Sequence, residues 1–155
     1  MKEKIGIIGY GHLGSALDRG LTKAGYETVI NNGDVNSTSN KLHVNGVEVS
    51  KARSLDELAE ETDEIALCIK SKDLDRVGQE VRQVLKSNHL VISFLAQSTL
   101  GDLIKAIGDK SEKVKVMTTL GIADMRGVSA IQGDSEDALK IVSSISTPGC
   151  VFKFE

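Results

Sequence analysis

Tryptophan is absent from this sequence, and proline occurs once, as Pro148. Aromatic residues are only 3% of the total, so a core must be built from Ile, Val, Leu and Ala. That mixture suits β-branched strands covered by Leu/Ala-rich helices. The two cysteines, Cys68 and Cys150, are too few and too far apart for a disulfide framework or a zinc site. No other metal-ligand spacing, paired carboxylate or Ser/His/Asp set stands out, so no metal is expected. Net charge is -3 with no basic tract, which argues against nucleic acid as a partner. No apolar run approaches the roughly 18 residues of a membrane span. The N-terminal apolar stretch is cut by Gly6 and Gly9, so it does not read as a signal peptide. No membrane partner is expected, and the cytoplasm is the default location.

What the chain does contain is an alternation of two periodicities. Lys4–Ile8 is a short apolar run of strand type. Leu13, Ala16, Leu17, Leu21 and Ala24 follow at helical spacing, closed by Gly25. Glu27–Asn31 reads as a second strand, residues 32–40 as a polar loop, and Val47–Val49 as a short strand. Ser54 and Glu57 form a capping box at a helix start. Further strands are expected over Glu64–Ile69, Leu90–Phe94, Lys113–Thr118, Val128–Gln132 and Val151–Phe154. Helical faces fall between them: Leu74, Val77, Val81 and Val84; Leu100, Leu103, Ile104 and Ile107; and Ser135–Ile145. Thr147-Pro148-Gly149 reads as a turn before the last strand. Alternating strands and helices imply a doubly wound α/β fold of Rossmann type, with a mostly parallel sheet and helices on both faces. With no repeat or linker, residues 1–155 read as a single domain.

One motif carries chemistry. Gly9-Tyr10-Gly11-His12-Leu13-Gly14 is a G-x-G-x-x-G sequence that follows a strand, opens an amphipathic helix and leads to a second strand. That context makes it a dinucleotide-binding fingerprint rather than a chance cluster of glycines. Gly9 would make the tight turn, Gly11 would let the backbone approach a pyrophosphate, and Gly14 would let helix and strand pack closely. Amides at the helix start would hold the phosphate charge. NAD sites usually place an acidic residue at the end of the second strand, on the ribose 2′-hydroxyl. Asn31 and Asn32 stand there instead, and Ser37, Thr38, Ser39 and Lys41 follow. This favours NADP(H) over NAD(H), although Asp34 could serve the ribose if the strand runs longer.

These residues resemble a known family. Ile5 to Tyr26 is similar to the opening of pyrroline-5-carboxylate reductases, which reduce a cyclic imine to proline with NAD(P)H. Glu64 to Ser71, Leu90 to Gln97, Val114 to Gly121 and Gly149 to Glu155 resemble later strands of the family's N-terminal domain. The resemblance implies cofactor contacts at Ile69 and Lys70, where the buried strand ends. It also implies a C-terminal helical domain that dimerises and completes the imine pocket, and that domain has no counterpart here. Ser71 replaces the family's proline after Lys70, Gln97 a usual glycine, and Thr118 and Thr119 the Pro-Asn pair after Met117.

Other candidates have plainer readings. Lys70 either touches cofactor or substrate or is a solvent-facing strand end. Cys68 reads as a small buried hydrophobe rather than a nucleophile. His12, inside the fingerprint, either touches a phosphate or faces solvent at the helix start, and Met117 is expected to pack in the core. No catalytic residue can be named. The expected function is an NADP(H)-binding oxidoreductase-like domain. It would transfer hydride to an imine or carbonyl substrate only with a partner subunit or as a homodimer. The alternative is a non-catalytic dinucleotide-binding sensor or regulatory module.

Overall fold

A computed structural model of the chain describes residues 3–32, 42–44, 47–49 and 53–155. Fourteen regular elements follow in chain order: β1 Lys4–Ile8, α1 His12–Lys23, β2 Glu27–Asn31, β3 Leu42–Val44, β4 Val47–Val49, α2 Leu55–Glu61, β5 Glu64–Leu67, α3 Leu74–Val84, β6 Leu90–Ser93, α4 Leu100–Ile107, β7 Glu112–Thr118, β8 Gly127–Gln132, α5 Glu136–Ser144 and β9 Ser146–Lys153. Seven strands form one sheet in the order β2-β1-β5-β6-β7-β8-β9, and β3 pairs antiparallel with β4 as a separate ribbon. The Rossmann-type architecture expected from the alternation is present.

Strand burial explains the sheet's two-sided packing. Ile65 and Leu67 belong to one apolar cluster, together with Leu58, Val81, Leu103 and Ile107 from α2, α3 and α4. Ala66, between them, belongs to the other, with Leu17 and Leu21 of α1 and Ile141 and Val142 of α5. Successive strand residues face opposite sides, so helices on both faces demand continuous apolar strands. α1 ends as its glycine predicts. Gly25 has φ +99, and the Tyr26 amide reaches back to the Leu21 carbonyl at 3.0 Å.

β8 runs antiparallel to β7, within an otherwise parallel sheet, because only a short 3-10 turn, Leu120–Asp124, joins them where a helical crossover would be needed. Three sequence expectations need correction. β5 ends at Leu67, so Ile69 lies beyond the strand. Pro148 is inside β9 rather than in a turn before it. β9 is an edge strand, and its register jumps from Gly127↔Ser146 to Ser129↔Val151, so residues 147–150 bulge out of the ladder where a proline is tolerated. Met117 is 50% exposed rather than core. It pairs with Ala130, which pairs with Phe152, itself 55% exposed. This end of the sheet therefore carries an apolar row open to solvent. The strand β3 was not foreseen. The expected loop, with Asp34, Ser37, Thr38, Ser39 and Lys41, lies outside the described residues apart from Asn32.

Candidate functional site

The site begins where β1 ends. Gly9 turns the chain with φ +96, and its amide donates to the Asn31 carbonyl at 2.8 Å. A Cβ there would sit 2.7 Å from the Cys68 carbonyl oxygen, so only glycine fits between the ends of β1 and β5. At Gly14 a Cβ would run into the Gly9 carbonyl oxygen, which fixes how closely α1 lies on the turn. Gly11 is different, because a Cβ there would meet nothing within 4 Å. Gly11 is also the N-cap of α1, with no side-chain cap and no acidic residue in the first turn. The helix thus presents amides and the positive end of its dipole to open space, and no local carboxylate competes with an anion.

That space is a cleft of about 470 Å³, within the range of small-molecule sites. Of the residues singled out from sequence, Gly9, Tyr10, Gly11, Asn31, Asn32, Ile69 and Lys70 line it. His12, Leu13 and Gly14 do not. His12 is exposed, Gly14 is buried under the turn, and Leu13, in the first turn of α1, packs against the core. Asn31 is buried, and its Nδ2 donates to the Arg53 carbonyl at 2.9 Å, so its side chain holds the chain beside β2. Asn32 is exposed, and its Oδ1 accepts the Tyr10 amide at 3.2 Å. Lys70 is exposed at the lip, just before the 3-10 turn Ser71–Asp73.

Sequence reasoning missed the far wall. Leu55, Lys72, Asp73, Arg76, Val77 and Glu80 line the cleft too, and Ile8 and Cys68 beside the turn complete it. The one local signal was Arg76 and Glu80, four apart and so on one face of α3; Lys72 lies in the 3-10 turn before it. Arg76 leans on Asp73 at 3.7 Å, an exposed contact of little energetic weight. Lys70 and Lys72 form no ion pair among the described residues.

Beneath the turn lies a polar cluster that was also missed. Asp18, on the inner side of α1 and 8% exposed, accepts the Tyr10 hydroxyl at 2.6 Å and the Thr28 hydroxyl of β2 at 2.5 Å. The Thr22 hydroxyl lies 3.4 Å from the same carboxylate. Burial of the phenol, reinforced by its bond to the carboxylate, pushes the Tyr10 hydroxyl well above the ordinary tyrosine range. Burial alone pushes the Cys68 thiol up to about 12, which fits a packing residue rather than a nucleophile.

The residues that depart from the reductase pattern stand at the other strand ends. Gln97 is exposed beyond β6. The Thr118 hydroxyl lies 2.7 Å from that of Ser129, and the Thr119 hydroxyl accepts the Val128 amide at 3.2 Å. Both threonines therefore serve the β7–β8 connection. None of the three lines the cleft. Among the described residues no three His, Cys, Asp or Glu side chains could hold a metal ion, and no helix is long and apolar enough to cross a membrane.

The chain order reverses at β1, with β2 on one side and β5 on the other. The cleft opens at the carboxyl ends of β1 and β5, the switch point where doubly wound sheets bind ligands. Fold and site together define a Rossmann-type domain of the dinucleotide-binding kind. The chain belongs to the family described as NADP oxidoreductase, coenzyme F420-dependent, which matches residues 4–97. It is 33% identical over 161 residues to a pyrroline-5-carboxylate reductase of Methanosarcina acetivorans, covering 94% of this chain and 57% of the relative. Among solved structures, a Plasmodium falciparum pyrroline carboxylate reductase with NADP bound superposes with a TM-score of 0.77 at 21% identity, covering 99% of this chain and 58% of that one. A Coxiella burnetii pyrroline-5-carboxylate reductase gives 0.76 at 19%, covering 100% and 60%. At such identity these two likenesses show the fold alone. The chain spans a little more than half the length of each of these relatives.

Proposed function

We propose that this chain is the NADP(H)-binding half of a reductase that acts on a small imine or carbonyl compound. The observation that carries the reading is the open position at Gly11. It lies at an uncapped helix start, facing a cleft at the switch point of the sheet. In this reading the backbone of Gly9, Tyr10 and Gly11 approaches the pyrophosphate. The first-turn amides of His12, Leu13 and Gly14 hold its charge, while Gly14 also keeps α1 against the turn. Asn32, a neutral donor, faces the adenosine ribose, and Asn31 fixes the strand end beneath it. Ile69 and Lys70 close the opposite lip. A bound NADPH supplies hydride to the substrate carbon.

The preference for NADP(H) over NAD(H) rests on Asn31 and Asn32 at the end of β2, where an acidic residue would repel a 2′-phosphate. The cationic Lys70, Lys72 and Arg76 on the facing wall support it.

Catalysis is assigned to an assembly with a second subunit. The exposed row Met117, Ala130 and Phe152 supports such a contact. The family match to oxidoreductases favours this reading over a regulatory module. A cytoplasmic location is the setting we assign to it. Calorimetric titration with NADPH tests the cofactor site: saturable binding to one site per chain is expected, and no binding at millimolar cofactor would refute it.

A further inference from the structure

The polar cluster under the turn is not explained by fold stability alone. A carboxylate placed in an apolar interior costs several kcal/mol unless hydrogen bonds satisfy it. Asp18 sits among Ala16, Leu17 and Leu21, which build the core, so an alanine or leucine there would give a simpler helix face. What the carboxylate gains instead is a grip on two separate elements. Its Oδ2 takes the Tyr10 hydroxyl at 2.6 Å, and its Oδ1 takes the Thr28 hydroxyl at 2.5 Å. Tyr10 lies between the two glycines that shape the turn, and its backbone amide is held separately by Asn32 Oδ1 at 3.2 Å. The residue is therefore fixed at both ends, by its amide above the sheet edge and by its phenol below, against α1.

A loop anchored only by glycines samples many conformations, because glycine gives up more backbone freedom on ordering than any other residue. Any freedom lost when a ligand binds is subtracted from its affinity. The tether from Tyr10 to Asp18 removes that freedom in advance. We propose that Tyr10 is a positioning residue of the dinucleotide site, and that the buried Asp18 acts through the Tyr10 hydroxyl to hold the Gly9–Gly11 turn in its binding shape. This inference rests on the cofactor reading given above, and it adds the Tyr10 hydroxyl and the Asp18 carboxylate, which lie beneath the site, to the backbone that faces the ligand. Because the turn serves the pyrophosphate common to both cofactors, the effect is the same for NADPH and NADH.

The test is a set of variants of the full chain, titrated with NADPH and NADH and melted in parallel. Tyr10→Phe removes only the hydroxyl and is expected to weaken both cofactors about five- to ten-fold, by the same factor. Thr28→Val removes a different donor to the same carboxylate without touching the turn. It is expected to lower the melting temperature while leaving both affinities unchanged, so it separates stability from positioning. Asp18→Asn is expected to weaken binding in the otherwise unchanged protein but to have no further effect once Tyr10→Phe is present. If the unchanged protein binds neither cofactor, the dinucleotide reading fails and this inference with it. If it binds, and Tyr10→Phe binds equally tightly or Thr28→Val weakens binding as much, the positioning role alone is refuted. Should Asp18→Asn fail to fold, the contrast between Tyr10→Phe and Thr28→Val still decides the matter.

Discussion

Substituting valine for Gly11 separates the binding role of the turn from its structural role. The backbone at Gly11 has φ -87 and ψ -151, a region open to any residue. A Cβ there meets nothing within 4 Å, so Gly11→Val need not disturb packing. Its structural cost is that of a poor N-cap residue, about 1 kcal/mol, or roughly 2–4 °C in melting temperature for a chain of this size. Its cost to binding is much greater, because the branched side chain fills the space assigned to the pyrophosphate. Losing two charge-assisted amide contacts at roughly 1.5–3 kcal/mol each weakens binding on the order of a hundred-fold or more. Gly14→Ala is the contrasting variant. Its methyl group would collide with the Gly9 carbonyl oxygen, so a loss of about 1–3 kcal/mol from overpacking is expected, seen as a larger drop in melting temperature than for Gly11→Val. The assays are calorimetric titration with NADPH and thermal denaturation by circular dichroism. A folded Gly11→Val protein with undiminished NADPH affinity would refute the assignment of this space to a phosphate.

Other expectations follow from the same geometry. NADPH should bind on the order of ten-fold more tightly than NADH. Asn32→Asp should narrow that gap, since the carboxylate still accepts the Tyr10 amide and only the charge changes; an unchanged ratio in titrations of both cofactors would place the 2′-phosphate elsewhere. Alone, the chain should reduce pyrroline-5-carboxylate far more slowly than about 1 per second, and loss of NADPH absorbance at that rate or faster would show a complete active site. In a Cys150→Ser background, Cys68 should react slowly with iodoacetamide at pH 8, because a thiol pushed up to about 12 is ionised in roughly one molecule in ten thousand. Rapid alkylation at that pH would contradict its packing role. Glu57 accepts the Ser54 amide at 2.9 Å, and that bond lowers its carboxyl below the usual range. A depressed folded value means that the stabilisation is complete above the ordinary glutamate value, about 4.3. It is lost as pH falls through the lowered one. Glu57→Gln should flatten this part of the acid unfolding curve, and identical curves would show that the cap adds nothing.

Much of the fold was legible because its signals are local. The alternation of strand and helix periods reflects which residues must be buried, and the Ser54–Glu57 box and Gly25 mark helix ends through their own backbone chemistry. The antiparallel β8 was not legible in the same way. A strand's direction depends on what connects it to its neighbour, and the 3-10 turn of Leu120–Asp124 has no strong periodicity. Pro148 misled for a related reason. Proline does not belong in a central ladder, but a bulged edge strand accepts it, and edge position is a property of the whole sheet. Met117 has a core-like side chain, and its exposure follows from the lack of a helix over that part of β7 and β8. At the site, the glycines were readable because each has a steric reason. The far wall at Lys72 and Arg76 was not, since the 3-10 turn and α3 reach the cleft only through tertiary packing. Asp18 could have been found from sequence as a charged residue at helical spacing from Gly14 and Leu21, on the apolar face of α1.

The central claim is that the cleft at the Gly9–Gly14 turn holds NADP(H), and titration of the unmodified protein with NADPH and NADH by isothermal calorimetry tests it most directly. Saturable binding of both at one site per chain is expected, with NADPH the tighter on the order of ten-fold. Absence of heat with either cofactor at millimolar concentration, from a protein whose circular dichroism shows it folded, would contradict it.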